Sequence, residues 1–213
     1  MKRRTLDVIV SVGGLLLAGL LLVAGLVLTS NAKFANDYVT QQLSEQKINF
    51  KPAATLTDAE KAKPCLVQYA GQPLTTGKQA ECYANNFIGL HLESTGGGKT
   101  YAELGDVQTQ LRTQIAEAQK TNASNLADLQ KQLTDTTASR ETVFKGETLR
   151  GLLLTSYGFS EFGTKAAQAA TVAYIGSGVL LVLALFGFIH AFVTPKTQAF
   201  AAPPVSDRPK VGV

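Results

Sequence analysis

Two long stretches of this chain carry no Lys, Arg, Asp or Glu. The first is Val8–Ala32, between Asp7 and Lys33; the second is Ala166–Thr194, between Lys165 and Lys196. A hydrocarbon layer ~30 Å thick is crossed by about 20 apolar residues in a helix, so each stretch has residues to spare. The pattern predicts a two-pass membrane protein. Residues 1–7 form a cytoplasmic stub, 8–32 and 166–194 the two transmembrane helices, and the stretch between them a single polar region on one side. The overall hydrophobic content of 45% is therefore not spread evenly; it gathers in the two runs.

Charge placement sets the expected orientation. Residues 1–7 hold Lys2, Arg3 and Arg4 against Asp7, and residues 196–213 hold Lys196, Arg208 and Lys210 against Asp207. The region 33–165 is neutral, with 14 basic and 14 acidic residues. An excess of Lys and Arg in short flanking segments keeps them cytoplasmic. Both termini are expected in the cytoplasm and the neutral region outside. The net charge of +4 comes from the tails and carries no pointer to nucleic acid. The first run also resembles a signal peptide, but its apolar length exceeds the usual 7–15 residues and favours a retained anchor. Gly14 and Ala18 form a small-xxx-small pair in it, a notch that lets another helix approach.

The only cysteines, Cys65 and Cys82, enclose 16 residues of the expected extracytoplasmic region. In an oxidising compartment an isolated pair reads as a disulfide. A metal site falls short of ligands, because two Cys have no His pair nearby.

Local patterns predict a mostly helical outer domain over 33–141. Residues 33–44 continue the first helix outside the membrane, with Val39, Leu43 and Phe34 on one face. Pro52, Pro64 and Pro73 punctuate an irregular part, in which 47–50 is a candidate strand and Thr57 a candidate cap for a turn over 58–63. Cys82, Tyr83, Phe87 and Leu90 recur at helical spacing and predict a helix over 80–93, ended by Gly96–Gly98. Thr100 with Glu103 has the form of a capping box. The following stripe is Leu104, Val107, Leu111, Ile115 and Ala118; a second is Leu126, Leu129 and Leu133. The weak helix formers at 121–125 favour two antiparallel helices, with one long helix as the alternative. Residues 135–140 read as a break. Residues 142–165 are a strongly apolar amphipathic lead-in, interrupted by charge and glycine, expected at the membrane interface or packed under the outer domain. Tyr157, Phe159 and Phe162 suit that depth. Residues 195–213 are Pro-rich and expected to be a disordered cytoplasmic tail.

Chemistry-bearing motifs are sparse. Gly96-Gly-Gly-Lys-Thr100 resembles a phosphate loop, but the glycine required five positions before Gly98 is Glu93; no nucleotide is expected. His91 and His190 lie on different segments and form no local two-His site. No Ser/His/Asp set and no Cys-x-x-Cys-His stands out. Asn122-Ala-Ser124 fits a glycosylation acceptor. Glu147 and Arg150 are charges inside an apolar segment, spaced to pair at i,i+3 or to dock a partner. No catalytic residue, cofactor or metal is expected.

Three blocks carry a family resemblance: YANNFIGLHL (Tyr83–Leu92), GGKTYAEL (Gly97–Leu104) and VFKGETLRGLLLTSYGFSEFG (Val143–Gly163). They resemble two-pass membrane proteins of actinobacteria, some of which carry the label "aromatic ring-opening dioxygenase". The likeness runs from Tyr83 to the end of the second run. A non-haem iron site needs His and carboxylate ligands with open positions, and the outer region has one His, so no catalytic residue carries over. The absence of a catalytic set, the notched membrane helices and the apolar lead-in point to an accessory subunit of a larger envelope membrane complex; the context of the family it resembles implies an actinobacterial respiratory supercomplex as host.

The sequence therefore reads as an all-α membrane protein, two transmembrane helices flanking an extracytoplasmic helical domain with one disulfide. The expected role is non-catalytic, with other membrane-protein subunits and the lipid bilayer as partners. The alternatives are a self-associating envelope scaffold or sensor, and a lipid- or quinone-binding protein. Contact candidates are Gly14, Ala18, Glu147, Arg150, Tyr157, Phe159 and Phe162.

Overall fold

The computed structural model describes residues 3–195, which are helical almost throughout and contain no strand. Two helices dominate: α1, Arg3–Glu45, and α7, Leu126–Val193. Between them come α2 (Asp58–Lys61), α3 (Pro64–Gln68), α4 (Gly77–Cys82), α5 (Gly89–Gly96) and α6 (Tyr101–Thr121). At 1.5 Å per residue, α1 and α7 are about 65 and 100 Å long. Each contains a segment long and apolar enough to cross a membrane. Helix α7 ends at Val193, just before Pro195, whose ring cannot continue the hydrogen-bond ladder. The expected tail, 195–213, lies beyond the described residues except for Pro195 itself.

The chain divides into two compact units. One comprises the start of α1 with the end of α7, and the other is Lys33–Thr164.

In the first unit the two long helices pack antiparallel. Buried positions recur at seven-residue steps, at Ser11, Ala18, Gly25 and Ala32 on α1 and at Ala170, Ser177, Ala184 and Ala191 on α7, with Ala173 buried beside them. A strict seven-residue repeat is the signature of a coiled-coil seam. Here the seam is made of small residues, so the backbones come close. Gly14 lies 3.6 Å from Ala184 by its would-be Cβ, and a Cβ on Gly25 would meet the ring of Tyr174 at 2.6 Å. Gly187 lies against the Ser11 hydroxyl in the same way. Side-chain bonds cross the seam: Ser177 Oγ donates to the Ala18 carbonyl at 2.8 Å, and the Thr29 and Tyr174 hydroxyls meet at 3.0 Å. Larger side chains point outward, among them Leu16, Leu20, Val172 and Phe186, all well exposed.

In the second unit the core gathers Val39, Leu43, Leu66, Leu74, Ile88, Leu92, Leu104, Val143 and Leu153. The expected continuation of α1 is present, with Val39 and Leu43 buried. Phe34 departs from that face and is exposed, because Ala32, Ala35, Val39 and Leu43 hold the inward positions. The candidate strand at 47–50 is instead one isolated bridge, Asn49 to Pro73. Pro73 has no N–H to extend a ladder; its neighbours close the loop through Phe50 N–H to Gln72 O and Leu74 N–H to Ile48 O.

The helix expected over 80–93 is longer. Helices α4 and α5 are joined without interruption by a π-helical stretch, Tyr83–Ile88. Thr76 caps its start with Gln79 in a reciprocal box, and left-handed Gly97 closes its end, as the glycine run implied. Thr57 caps α2 and Thr100 caps α6, with Glu60 and Glu103 completing the boxes.

Helices α6 and α7 form the antiparallel pair favoured from the sequence. Asn122 takes the left-handed conformation that ends α6, and Leu111, Ala118 and Leu129 pack between them with Val107, Ile115, Leu126 and Leu133. The expected break at 135–140 is absent, since those residues are helical within α7; the lead-in at 142–165 continues the same helix and puts Val143 and Leu153 into the core of the second unit. Tertiary contacts override local preference here. Arg140 donates to Gln108 Oε1 at 2.7 Å and to the Tyr101 carbonyl at 3.1 Å, and Gln108 donates to Thr137 Oγ1 at 2.7 Å. Gly146, which costs a free helix about 1 kcal/mol, sits where the Leu92 side chain presses on α7.

Candidate interaction site

Four structural features of the second unit bear on what it can do. The first is the crosslink. Cys65 on α3 and Cys82 at the end of α4 are bonded, Cα to Cα 6.0 Å. Asn86, one turn on, donates to Cys65 Sγ at 3.2 Å. The bond ties the proline-punctuated part to the 77–96 helix.

The second is a buried carboxylate that the sequence reading passed over. Glu60 is fully buried at the first turn of α2. Its oxygens accept from Lys51 Nζ at 2.8 Å and from the Thr57 N–H at 2.7 Å. These bonds, the Lys51 one foremost, hold its pKa down at about 2 against burial, which pushes the other way. His91 Nε2 stands 3.7 Å from the same carboxylate. Its Nδ1 is 2.7 Å from the Phe87 carbonyl, an oxygen that can only accept, so Nδ1 carries the hydrogen. Lys51 also lies over the Phe87 ring, and Tyr83, Phe87 and His91 stack at successive turns, 4.6 and 4.5 Å apart. The cluster cross-links the loop at 51, helix α2 and helix α5. The Thr57-x-x-Glu60 spacing was the available signal, since a capping-box acid is hydrogen-bonded by construction.

The third is the polar rim of α7. Arg150 and Glu147 do pair, at 3.3 Å, and Arg150 also donates to Asn85 Oδ1 at 3.3 Å. Tyr157 receives a hydrogen bond from Lys78 Nζ at 3.2 Å, with the ammonium 4.6 Å from the ring centre. That bond, with Glu161 at 3.3 Å, raises the lysine pKa above its usual range. Gly77 allows the contact behind it, lying against Ser160 of α7.

The fourth is an uncovered apolar face. Phe34, Tyr38 and Phe159 form a cluster with ring centres 5.8 to 6.4 Å apart. Phe162 is 76% exposed and Leu152 63%. Beside the cluster runs a groove of 390 Å³. One wall is Tyr38, Val39, Gln42, Leu43, Gln46 and Ile48; the other is Leu149, Leu152, Leu153, Thr155, Ser156 and Phe159. The hydroxyls of the second wall turn back onto their own helix, Thr155 to Gly151 O at 2.9 Å and Ser156 to Leu152 O at 3.2 Å. Of the candidates read from sequence, Phe159 lines this groove. Tyr157, Glu147 and Arg150 make the rim contacts above, and Gly14 and Ala18 face the partner helix within the chain.

Near the far ends of the long helices, Asp7 Oδ2 and His190 Nδ1 meet at 3.0 Å. Among the described residues no group of three or more His, Cys, Asp and Glu comes together. No protein-family model, no curated protein and no solved structure matches the chain.

Proposed function

We propose that this chain is a two-pass membrane protein with both termini in the cytoplasm and residues 33–165 outside. Its role is that of a non-catalytic accessory subunit in a larger envelope membrane complex. Two observations support the membrane placement. The paired helix segments expose large apolar side chains on their outer surfaces, and the charges that flank them follow the positive-inside pattern.

The observation that carries the accessory role is the uncovered face around Phe34, Tyr38, Leu152, Phe159 and Phe162. It lies on a unit whose own core is already filled. Contiguous apolar surface of this kind marks a contact with another protein or with a membrane. The host complex follows only from the sequence resemblance, which points to an actinobacterial respiratory supercomplex.

Purification through a tag on this chain, from native membranes in mild detergent with lipid retained, tests the reading. Stoichiometric recovery of respiratory subunits is expected. Recovery of this chain alone, or of homo-oligomers only, contradicts it and favours a self-associating scaffold.

A further inference from the structure

We infer that the Ala32–Lys33 peptide bond is a latent cleavage site for a leader-type membrane peptidase, kept whole by the helix that runs through it. The inference rests on the proposed membrane placement, with residues 33–165 outside, and is independent of the host complex.

The chain up to Ala32 carries each part that such a peptidase reads. Lys2, Arg3 and Arg4 make a basic start, Val8–Thr29 is the apolar run, and Ser30, Asn31 and Ala32 follow. Small residues at the third and first positions before the cut are the recognition signature, and Ser30 and Ala32 occupy them. The polar region opens at once with Lys33. On the proposed placement the bond lies at the outer edge of the first span, where leader peptides are removed.

The fold withholds this bond in two ways. A peptidase binds its substrate as an extended strand, pairing with main-chain groups around the cut. Here α1 is helical without a break from Arg3 to Glu45. In that ladder the Ala32 carbonyl, the group water has to attack, accepts the Asn36 N–H. The side chain is withheld as well. The residue before the cut must enter a pocket of the enzyme, and Ala32 is only 5% exposed. Ala35, a turn further on, is buried to the same degree. Just before the small residues, Thr29 is held by the Gly25 carbonyl and the Tyr174 hydroxyl.

Cleavage is a hydrolysis. Water adds to the Ala32 carbonyl and the C–N bond to Lys33 breaks. The products are a carboxylate on Ala32 and a new N-terminal ammonium on Lys33. The released piece carries Ser11, Ala18 and Gly25, the α1 side of the helix seam. The site thus separates two populations: chains that complete α1 are kept whole, and chains that do not are cut. Run length is the competing explanation for an intact bond, since an apolar stretch beyond about 7–15 residues is a poor leader in any conformation. The test therefore keeps the run at its native length and alters only the helix.

The full chain, tagged at its C-terminus, is expressed in a bacterium whose leader peptidase is active. Asn36→Pro removes the N–H that engages the Ala32 carbonyl and disfavours helix at the residue before it. It lies a helical turn past the cut and leaves Ser30 and Ala32 in place. Asn36→Ala is its control, because it removes only the side-chain contact with Ser160 Oγ at 3.5 Å. The native chain and Asn36→Ala should stay full length. In Asn36→Pro the shortened fraction should rise at least about tenfold, with N-terminal sequencing that starts at Lys33. Adding Ala32→Leu to Asn36→Pro, which blocks the small-residue position, should restore the full-length chain. Impermeant maleimide, applied to intact cells after reduction, reports the side of Cys65 and Cys82 in each variant. Full-length Asn36→Pro with its cysteines labelled from outside overturns the latent site and leaves the membrane placement standing. Full-length Asn36→Pro whose cysteines label only after permeabilisation overturns the placement and the inference together. Equal cleavage of the native chain overturns protection by the helix. Shortening that Ala32→Leu fails to block puts the cut elsewhere and also overturns the assignment.

Discussion

Ser177 Oγ donates a hydrogen bond to the main-chain carbonyl of Ala18 at 2.8 Å, across a seam where both residues are buried. The bond is possible because every seventh residue on both helices is small. An α-helical carbonyl already bonded within its own helix can accept a second donor only if the neighbouring backbone comes this close. Helix pairs in hydrocarbon gain most from such packing and only ~0.6 kcal/mol on average from a polar side chain. Ser177→Ala should therefore cost about 0.6 kcal/mol. Ala18→Leu should cost about 1–3 kcal/mol through overpacking. Unfolding in detergent micelles measures both, and an unaffected Ala18→Leu variant would count against the seam.

The Cys65–Cys82 bond closes a loop with a sequence separation of 17. Closing a loop of that size removes ~3 kcal/mol of unfolded-chain entropy on the usual estimate. Replacing both cysteines with serine should lower the stability of the 33–164 unit by about that amount. Guanidinium unfolding, followed by tyrosine fluorescence, checks it. Reductant should destabilise the native chain and leave the variant unmoved.

Glu60 gives a pH dependence with a defined sign. Its folded pKa is depressed, from 4.5 to about 2. The stabilisation is therefore complete above pH 4.5 and is lost as pH falls toward 2. Glu60→Gln keeps the shape but loses the charge-assisted bonds from Lys51 and Thr57. It should cost about 1–3 kcal/mol at neutral pH. It should also flatten the stability curve between pH 4.5 and 2 relative to the native chain. Parallel acid and neutral melts measure this difference, and identical slopes would contradict the assignment.

Gly146 makes a close helix contact inside the 33–164 unit, since an added Cβ would run into Leu92. Gly146→Val should destabilise by about 1–3 kcal/mol. Combining it with Leu92→Ala should recover part of that loss, because contacting residues couple. A double-mutant cycle on thermal unfolding reads the coupling; strict additivity would argue against the contact.

Where the chain announced its structure, it did so through residues whose preference is local. Thr57, Thr100 and Gly97 cap helices because their side chains or missing Cβ act within a few residues. The turn after Thr121 works in the same way, through the left-handed Asn122. The two apolar stripes of α6 and α7 meet in one cluster, as their spacing implied. What stayed hidden depends on distant partners. Residues 135–140 look like a break, with Thr and Ser in place of strong helix formers. Only Gln108 and Tyr101, some thirty residues earlier, show why the helix continues. The π-helical stretch at Tyr83–Ile88 leaves no mark in residue spacing.

The candidate site was legible to a similar degree. Phe159 stood out as an aromatic in an apolar segment, and it does line the groove. Gln42 and Gln46, on the opposite wall, look like ordinary exposed helix residues until α7 is placed beside them. The seven-residue repeat was masked by composition, because Gly, Ala and Ser are common in apolar helices. Gly14 with Ala18 is one visible fragment of a seam that runs from Ser11 to Ala32. Glu60 reads as a solvated surface acid unless its place in a capping box is noticed.

The proposed topology, with residues 33–165 outside, is decided by thiol accessibility in intact cells. An impermeant maleimide is added to whole cells before and after reduction, with no permeabilisation. The account requires no labelling of Cys65 or Cys82 at first, and full labelling of both once the bond is reduced. Labelling that appears only after the membrane is opened, or free thiols before any reductant, contradicts it.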